Sequence, residues 1–271
     1  MWDFVSQLWQ LATQWVGYAA VMLMLVIFVW PFERWKPRIA NSNLSSGRLI
    51  AISSLVLGSV VVVQTYGWWG QSALISAFVK LKFFSLSKLP IPDWLLILVS
   101  MLLLDFFHYL AHLVAHHIPA IWRLHKIHHA DEHVTAFSSL LHHPFESLYV
   151  AIFVTGLAVM FGVPVLVLVY FGIALAAHAV FSHADIALPQ SLDRKLRWLI
   201  VTPDVHRTHH SQDLQEGNSN FGAMFTIWDR LFGTYIDQPA EPLSQLSMGL
   251  SPNSKPTAFT PKELLLFPFR R

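Results

Sequence analysis

The chain has no cysteine among its 271 residues, which excludes disulfides, thiolate zinc sites and an internal iron–sulfur cluster. Any redox chemistry must therefore draw electrons from elsewhere. Charge is scarce as well: 13% of residues are charged against 54% hydrophobic, and the mean hydropathy is +0.48. These values lie outside the range of ordinary soluble domains and indicate an integral membrane protein. A net charge of +2, dispersed along the chain, gives no footprint of a nucleic-acid partner. There is no internal repeat and no glycine-rich nucleotide loop. No Glu is followed three residues later by His, the spacing of carboxylate-bridged di-iron bundles. The opening MWDFVSQLWQ lacks a basic region and a small-residue cleavage site, so we expect it to be retained rather than removed as a signal peptide.

Long apolar runs fill much of the remainder. Trp2, Phe4, Leu8, Trp9 and Leu11 have the spacing of a short interfacial helix. A first span is expected from Trp15 to Trp30 and a second over residues 49–69, closed by Tyr66, Trp68 and Trp69 as an aromatic belt. SALISAFVKLKFF is too charged to cross and should lie along the interface. Pro90 and Pro92 then open a third span of about 36 Å, longer than a ~30 Å hydrocarbon core, so that its last turns emerge. Two shorter apolar runs, Glu146 to Phe161 and Val163 to Ala177, form a hairpin about Gly162 and Pro164 that returns to the same face, whether or not it crosses fully. Arg34, Lys36, Arg38, Arg48, Arg123, Lys126, Arg194, Lys195, Arg197 and Arg207 share that face, which the positive-inside rule makes cytoplasmic; Lys80, Lys82 and Lys88 oppose it. The expected fold is thus all-α: a multi-span helical membrane protein with a histidine-rich helical cap on the cytosolic face. Its divisions are an N-terminal hairpin and interfacial segment (1–92), a histidine domain (93–236) and a loosely ordered, Pro-rich tail (237–271).

The 15 histidines fall in bursts at the ends of the apolar runs. His112 and His116 lie one turn apart on one helical face. His125 and His128 repeat this at i, i+3, and His129 adds a second direction, so that one turn can serve two ions. His206, His209 and His210 copy the pattern, and His178 and His183 return from the hairpin. Imidazoles gathered in this number repel when protonated and lose hydration unless a cation holds them neutral. All-imidazole ligation suits Fe(II), Zn(II) or Cu, and this many ligands suggests two ions with positions left open. Asp105, on the stripe of His108, His112 and His116, is expected to bond a ligand histidine from behind. A metal-ion or haem carrier is the rival reading. Transporters place ligands at the bilayer midplane, whereas these sit at one interface, and haem would need only two.

DFFHYLAHLVAHHIPAIWRLHKIHH, LLHHPFE, FSHADIALP, VTPDVHRTHHS and NFGAMFTIWDRLFGTY together resemble the fatty acid hydroxylase/sterol desaturase superfamily over about residues 93–236. The resemblance implies a di-metal centre, normally two irons, that activates O2 to hydroxylate or desaturate a lipid C–H bond. It also implies a lipid entering from the bilayer, an external donor such as a ferredoxin or a cytochrome with its reductase, and a multi-pass protein of the bacterial inner membrane. It assigns His112 and His116, His125, His128 and His129, then His206, His209 and His210 as ligands, with His183 as the extra one. His178 joins them only if the helix ends or bulges before His183, since i to i+5 is about 140° round a helix. His108 is expected to line the pocket or support a ligand, and His143 to be structural or supporting. His117, His133 and His142 have no matching place and should be solvated or capping. Asp229 and Arg230 are expected to pin the C-terminal segment by charge-assisted bonds, unless they are a plain surface pair.

Overall fold

The computed structural model describes residues 20–39, 45–69, 71–81 and 84–270. The interfacial helix expected around Trp2 to Leu11 and the start of the first span lie outside these residues, as do the side chains of Trp68 and Trp69. The described residues are helical with isolated β-bridges and no strand, which agrees with the all-α expectation.

Helix α1 covers 20–35 and α2 Ser46–Trp69. A ten-residue helix, α3 (Gln71–Lys80), lies against α6, where Phe78 occupies the space left by Gly156. Helix α4 (Asp93–His117) runs 25 residues without a breaker. It ends because Pro119 disfavours helical backbone at the preceding residue, and Ile118 is extended (φ −97°, ψ 112°). Pro119 then opens the short α5 (Pro119–His125), which turns the chain back under the end of α4. Pro144 likewise starts α6 (Pro144–Phe161), with His143 and Glu146 forming its capping box.

Gly162 ends α6 in left-handed conformation (φ 61°), and Pro164 caps α7 (Val165–His183). A side chain at Gly162 would meet the Ser85 backbone at 2.8 Å, and Ser87 Oγ donates to the Gly162 carbonyl at 2.8 Å. The hairpin tip therefore lies beside the chain entering α4, and both α6 and α7 pack along that helix. Helices α2, α4 and α7 are each long and apolar enough to cross a bilayer. Leu104, Phe107 and Ala111 of α4 pack with Val154 and Ala158 of α6 and with Val167 and Phe171 of α7 in one core.

After α7 the chain forms short helices, α8 (Gln190–Leu196), α9 (Pro203–His209), α10 (Leu214–Gly217) and α11 (Ile227–Phe232). The tail is not the loose extension expected from its prolines. Gly249 N donates to His210 O, and Leu264 of α12 (Pro261–Leu266) and Phe267 of the turn after it are buried with Ala51, Ile52 and Leu55 of α2. Apolar positions spaced among the prolines supply that contact.

Charges at the end of α1, just after it and at the start of α2 clamp the histidine segments from outside. Glu33 accepts from Ala136 N and Asp185 N, both at 2.7 Å. Arg38 pairs with Asp204 at 3.1 Å, and Arg207 with Asp185 at 2.9 Å. Arg48 pairs with Asp131 and donates to His133 O at 3.0 Å. Arg48, Arg197 and Arg207, counted above as orientation signals, are thus buried ion-pair members. Breaking a buried pair strands the partner's charge, so Arg48→Ala should cost about 3–5 kcal/mol. Thermal unfolding in detergent would register this as a lowered midpoint; an unchanged midpoint would mean that Asp131 is adequately held by its remaining donors.

Candidate metal centre

Nine of the ten predicted ligands gather in two adjoining groups. His112, His116, His125, His129 and His209 form the first, and His128, His183, His206 and His210 the second, the ligand atoms of each lying within 4.8 Å of one another. The two HxxHH segments are what join them. His125 and His129 stand four residues apart and point into the first group, while His128, about 100° round, points into the second. His206 and His210 enter the second and His209 the first, so the residues that share a group are the i, i+4 pairs, not the i, i+3 pairs His125/His128 and His206/His209 expected from the sequence. Each adjacent pair straddles the two sites, with the His129 and His210 rings stacked at 4.5 Å between centroids.

His178 is not brought in. Helix α7 is unbroken through residue 183, so the 140° offset stands, and His178 Nε2 is buried without a protein partner. His108 packs its ring 5.3 Å from Phe171 and joins neither group. His143 is structural: Nδ1 accepts from Phe145 N, and Nε2 donates to Leu265 O at 3.3 Å. His117 donates to Leu113 O, and His133 is exposed. Asp105 does not touch a histidine, contrary to the expectation. It accepts from Met224 N (2.9 Å), Phe225 N (3.3 Å) and Trp228 Nε1 (2.8 Å), and so pins the segment after α9 to the middle of α4. Asp229 does fix the C-terminal segment, accepting from Phe221 N, Gly222 N and Thr234 Oγ1. Arg230 donates to Arg197 O and stacks on Trp198 and Tyr235.

Whether these imidazoles suit a metal is decided by where their protons are. A neutral imidazole has one N–H and one lone pair. His112 Nδ1–H donates to Phe221 O (3.0 Å) and His125 Nδ1–H to Glu146 Oε1 (2.6 Å), so their Nε2 lone pairs face each other at 3.1 Å. His209 Nδ1–H donates to Ser219 O (2.6 Å) and His116 Nδ1–H to Asn218 Oδ1 (3.3 Å), leaving the Nε2 atoms of both buried without a partner. In the second group His183 Nδ1–H donates to Ala179 O (2.7 Å). Its Nε2 lies 3.0 Å from that of His128 and 2.9 Å from that of His206. Converging lone pairs repel unless a cation lies between them. Two nitrogens about 2.1 Å from one ion at right angles are about 3 Å apart, which matches these separations. Both groups fit a transition-metal ion. Burial and mutual repulsion hold His128, His129, His206 and His210 well below the ordinary imidazole range, and burial takes His209 down to about 3. These five imidazoles are therefore neutral at pH 7.

Two side chains beside the site were not expected there. Glu146, buried at the start of α6, accepts from His125 and, at 2.9 Å, from His142. His142 is half-buried and stacks on His128 at 4.4 Å between centroids, not solvated or capping as its sequence position suggested. Burial works against its charged form, but the Glu146 carboxylate more than offsets this and raises its pKa. The available signal was the HHPFE stretch, where a carboxylate opens an apolar run and faces back over one turn.

A family model described as fatty acid hydroxylase matches residues 97–234. Among curated proteins, the ornithine lipid hydroxylase OlsE of Rhizobium tropici is 28% identical over 143 residues, 53% of this chain and 42% of that protein. The alkylglycerol monooxygenase of Xenopus tropicalis is 24% identical over 248 residues, 90% of this chain and 50% of that protein. That of Caenorhabditis elegans is 30% identical over 133 residues, 48% and 25% respectively. The chain thus spans half or less of the length of these relatives. No solved structure matches it. The family match runs from α4 to the turn after α11 and takes in both histidine groups, and on that ground the chain belongs to the fatty acid hydroxylase family.

Proposed function

We propose that the two histidine groups hold a pair of iron ions and that the protein uses O2 and external electrons to hydroxylate a C–H bond of a membrane lipid. The observation that carries this reading is the pair of adjoining all-imidazole groups, five and four strong, at one end of three lipid-length helices. A closed structural zinc site would need only four ligands. The relatives, named as hydroxylases and monooxygenases, favour an alcohol product over an alkene.

When bound, the ions would supply the oxidising power that no side chain has. The chain's own residues do the positioning. His112, His116, His125, His129 and His209 would hold one ion, and His128, His183, His206 and His210 the other. Carbonyls of Phe221, Ser219 and Ala179 and the carboxylate of Glu146 fix the ring protons on Nδ1, so that Nε2 faces inward. Near-complete burial of most of these rings keeps bulk water from the reacting carbon. With no cysteine and no nucleotide loop, the chain would take electrons from a ferredoxin or a cytochrome with its reductase. We place the histidine end on the cytoplasmic side, following the cations that remain exposed on that face, and take the membrane to be a bacterial inner membrane.

The test compares total lipid extracts from cells expressing the wild type and His209→Ala, with the iron content of anaerobically purified protein measured alongside. A lipid heavier by one oxygen, present only with the wild type, and iron in both sites are expected. Identical extracts together with loosely held, exchangeable zinc would favour the carrier reading instead.

A further inference from the structure

Helix α11 packs along the middle of α4 rather than at its histidine end. Asp105 is the middle residue of the 25-residue α4, twelve positions or about 18 Å from either end. It holds Trp228 Nε1 and the backbone of Met224 and Phe225. Phe106, next along α4, packs on Trp228 at 4.9 Å and on Phe232 at 5.8 Å, and Tyr109 stacks on Phe232 at 5.6 Å. Because α4 crosses the lipid, residues beside its positions 105–109 lie within the half of the hydrocarbon layer nearer the histidines.

The outward side of this segment is apolar. Ile227 is 50%, Leu231 67% and Phe232 53% exposed, and the adjoining Trp198 and Leu199 are 72% and 63%. Thr226 N donates to Leu199 O, so both stretches form one surface. Its only cation is masked: Arg230 lies 4.5 Å from the Trp198 ring and 3.7 Å from that of Tyr235, and donates to Arg197 O. Arg194 and Lys195, exposed one turn before Trp198, stand where anionic headgroups would be. The order apolar tip, aromatic pair about an Arg, then basic residues is the layering of a bilayer from acyl chain to headgroup.

We infer that α11 and the 198–199 turn are inserted into the bilayer, with Leu231 and Phe232 in the acyl layer and Trp198 and Tyr235 at the headgroup boundary. The insertion explains why Asp105 is spent on Trp228 and two backbone amides instead of on a ligand: donors at that depth have no water to bond. It also makes this segment a lipid-contacting wall between the hydrocarbon and Phe221, whose carbonyl holds His112.

The absence of native cysteine makes the test direct. Leu231→Cys, Phe232→Cys and, as an aqueous control, Glu241→Cys are labelled with bimane in detergent and reconstituted into phosphatidylcholine–phosphatidylglycerol vesicles. All three side chains are exposed, so folding should survive, and retained metal would confirm it. Nitroxide borne on the lipid acyl chain should quench positions 231 and 232 strongly and 241 little. Aqueous iodide should show the reverse, several-fold weaker at 231 and 232 than at 241. Iodide reaching 231 as readily as 241 overturns the insertion, and so does protection of 231 from both quenchers, which would mean that protein covers the surface. Neither outcome bears on the metal assignment.

Discussion

His128→Ala and His209→Ala should each abolish lipid hydroxylation while sparing different ions. His209 belongs to the five-imidazole group and His128 to the four-imidazole group, and neither ring is shared. Removing His209 therefore leaves His128, His183, His206 and His210 intact, and removing His128 leaves the other five. Each single variant is expected to retain about one iron per chain after chelator challenge, the double variant none, against about two for the wild type. Mössbauer spectra of the single variants should differ from each other, since one retains the four-imidazole site and the other the five-imidazole site. Both side chains are buried, so membrane insertion and thermal unfolding are recorded beside iron. If either single variant loses both ions yet folds, the groups are not separate sites. If either keeps full activity, the ligand assignment fails.

That the two residues of each HH pair face different ways was legible, because adjacent helical residues point about 100° apart, but the i, i+3 partners expected to share a face, His125 with His128 and His206 with His209, are divided between the two groups. The course of α4, α6 and α7 was legible for a similar local reason. Apolar runs were bounded by Pro92, Pro119, Pro144 and Pro164, each of which dictates backbone at its own position. The partners of the ring nitrogens were not legible, because Phe221, Ser219 and Ala179 act through backbone carbonyls, which every residue has. Asp105 shows the same limit from the other side. Its helical stripe pointed correctly along α4 to His112, but its actual partners come from a segment more than a hundred residues later. His178 was ambiguous only in whether α7 would break before His183, a question that the 3.6-residue repeat poses and cannot answer.

Asn220→Ala should loosen the five-imidazole ion without touching the other, even though Asn220 contacts no ligand ring. Its backbone is left-handed at φ 52°, a conformation that costs other side chains about 1–2 kcal/mol. Its side chain is fully buried, accepts from Ile236 N (3.0 Å), and donates to Ile236 O (2.9 Å) and Val205 O (3.3 Å). These bonds fix a loop in which Ser219 O accepts from His209 Nδ1, Phe221 O from His112 Nδ1 and Asn218 Oδ1 from His116 Nδ1. Three of the five rings in that group are thus aimed by one loop, whereas the second group's only anchored ring, His183, leans on Ala179 within α7. Losing the anchors behind metal-bound imidazoles typically weakens metal affinity about 10–100-fold. Asn220→Ala should show that loss at one ion only, with a lowered unfolding midpoint from strain and stranded polar groups. Asn220→Gly tolerates the left-handed backbone but still lacks the three bonds, so it should recover part of the midpoint and little of the affinity. Asn218→Ala removes the His116 acceptor and one bond to Leu214 O, leaves the Asn220 bonds in place, and should fall between Asn220→Ala and the wild type in iron retention. Equal loss of both ions in Asn220→Ala would show that the loop supports the whole histidine end rather than one site.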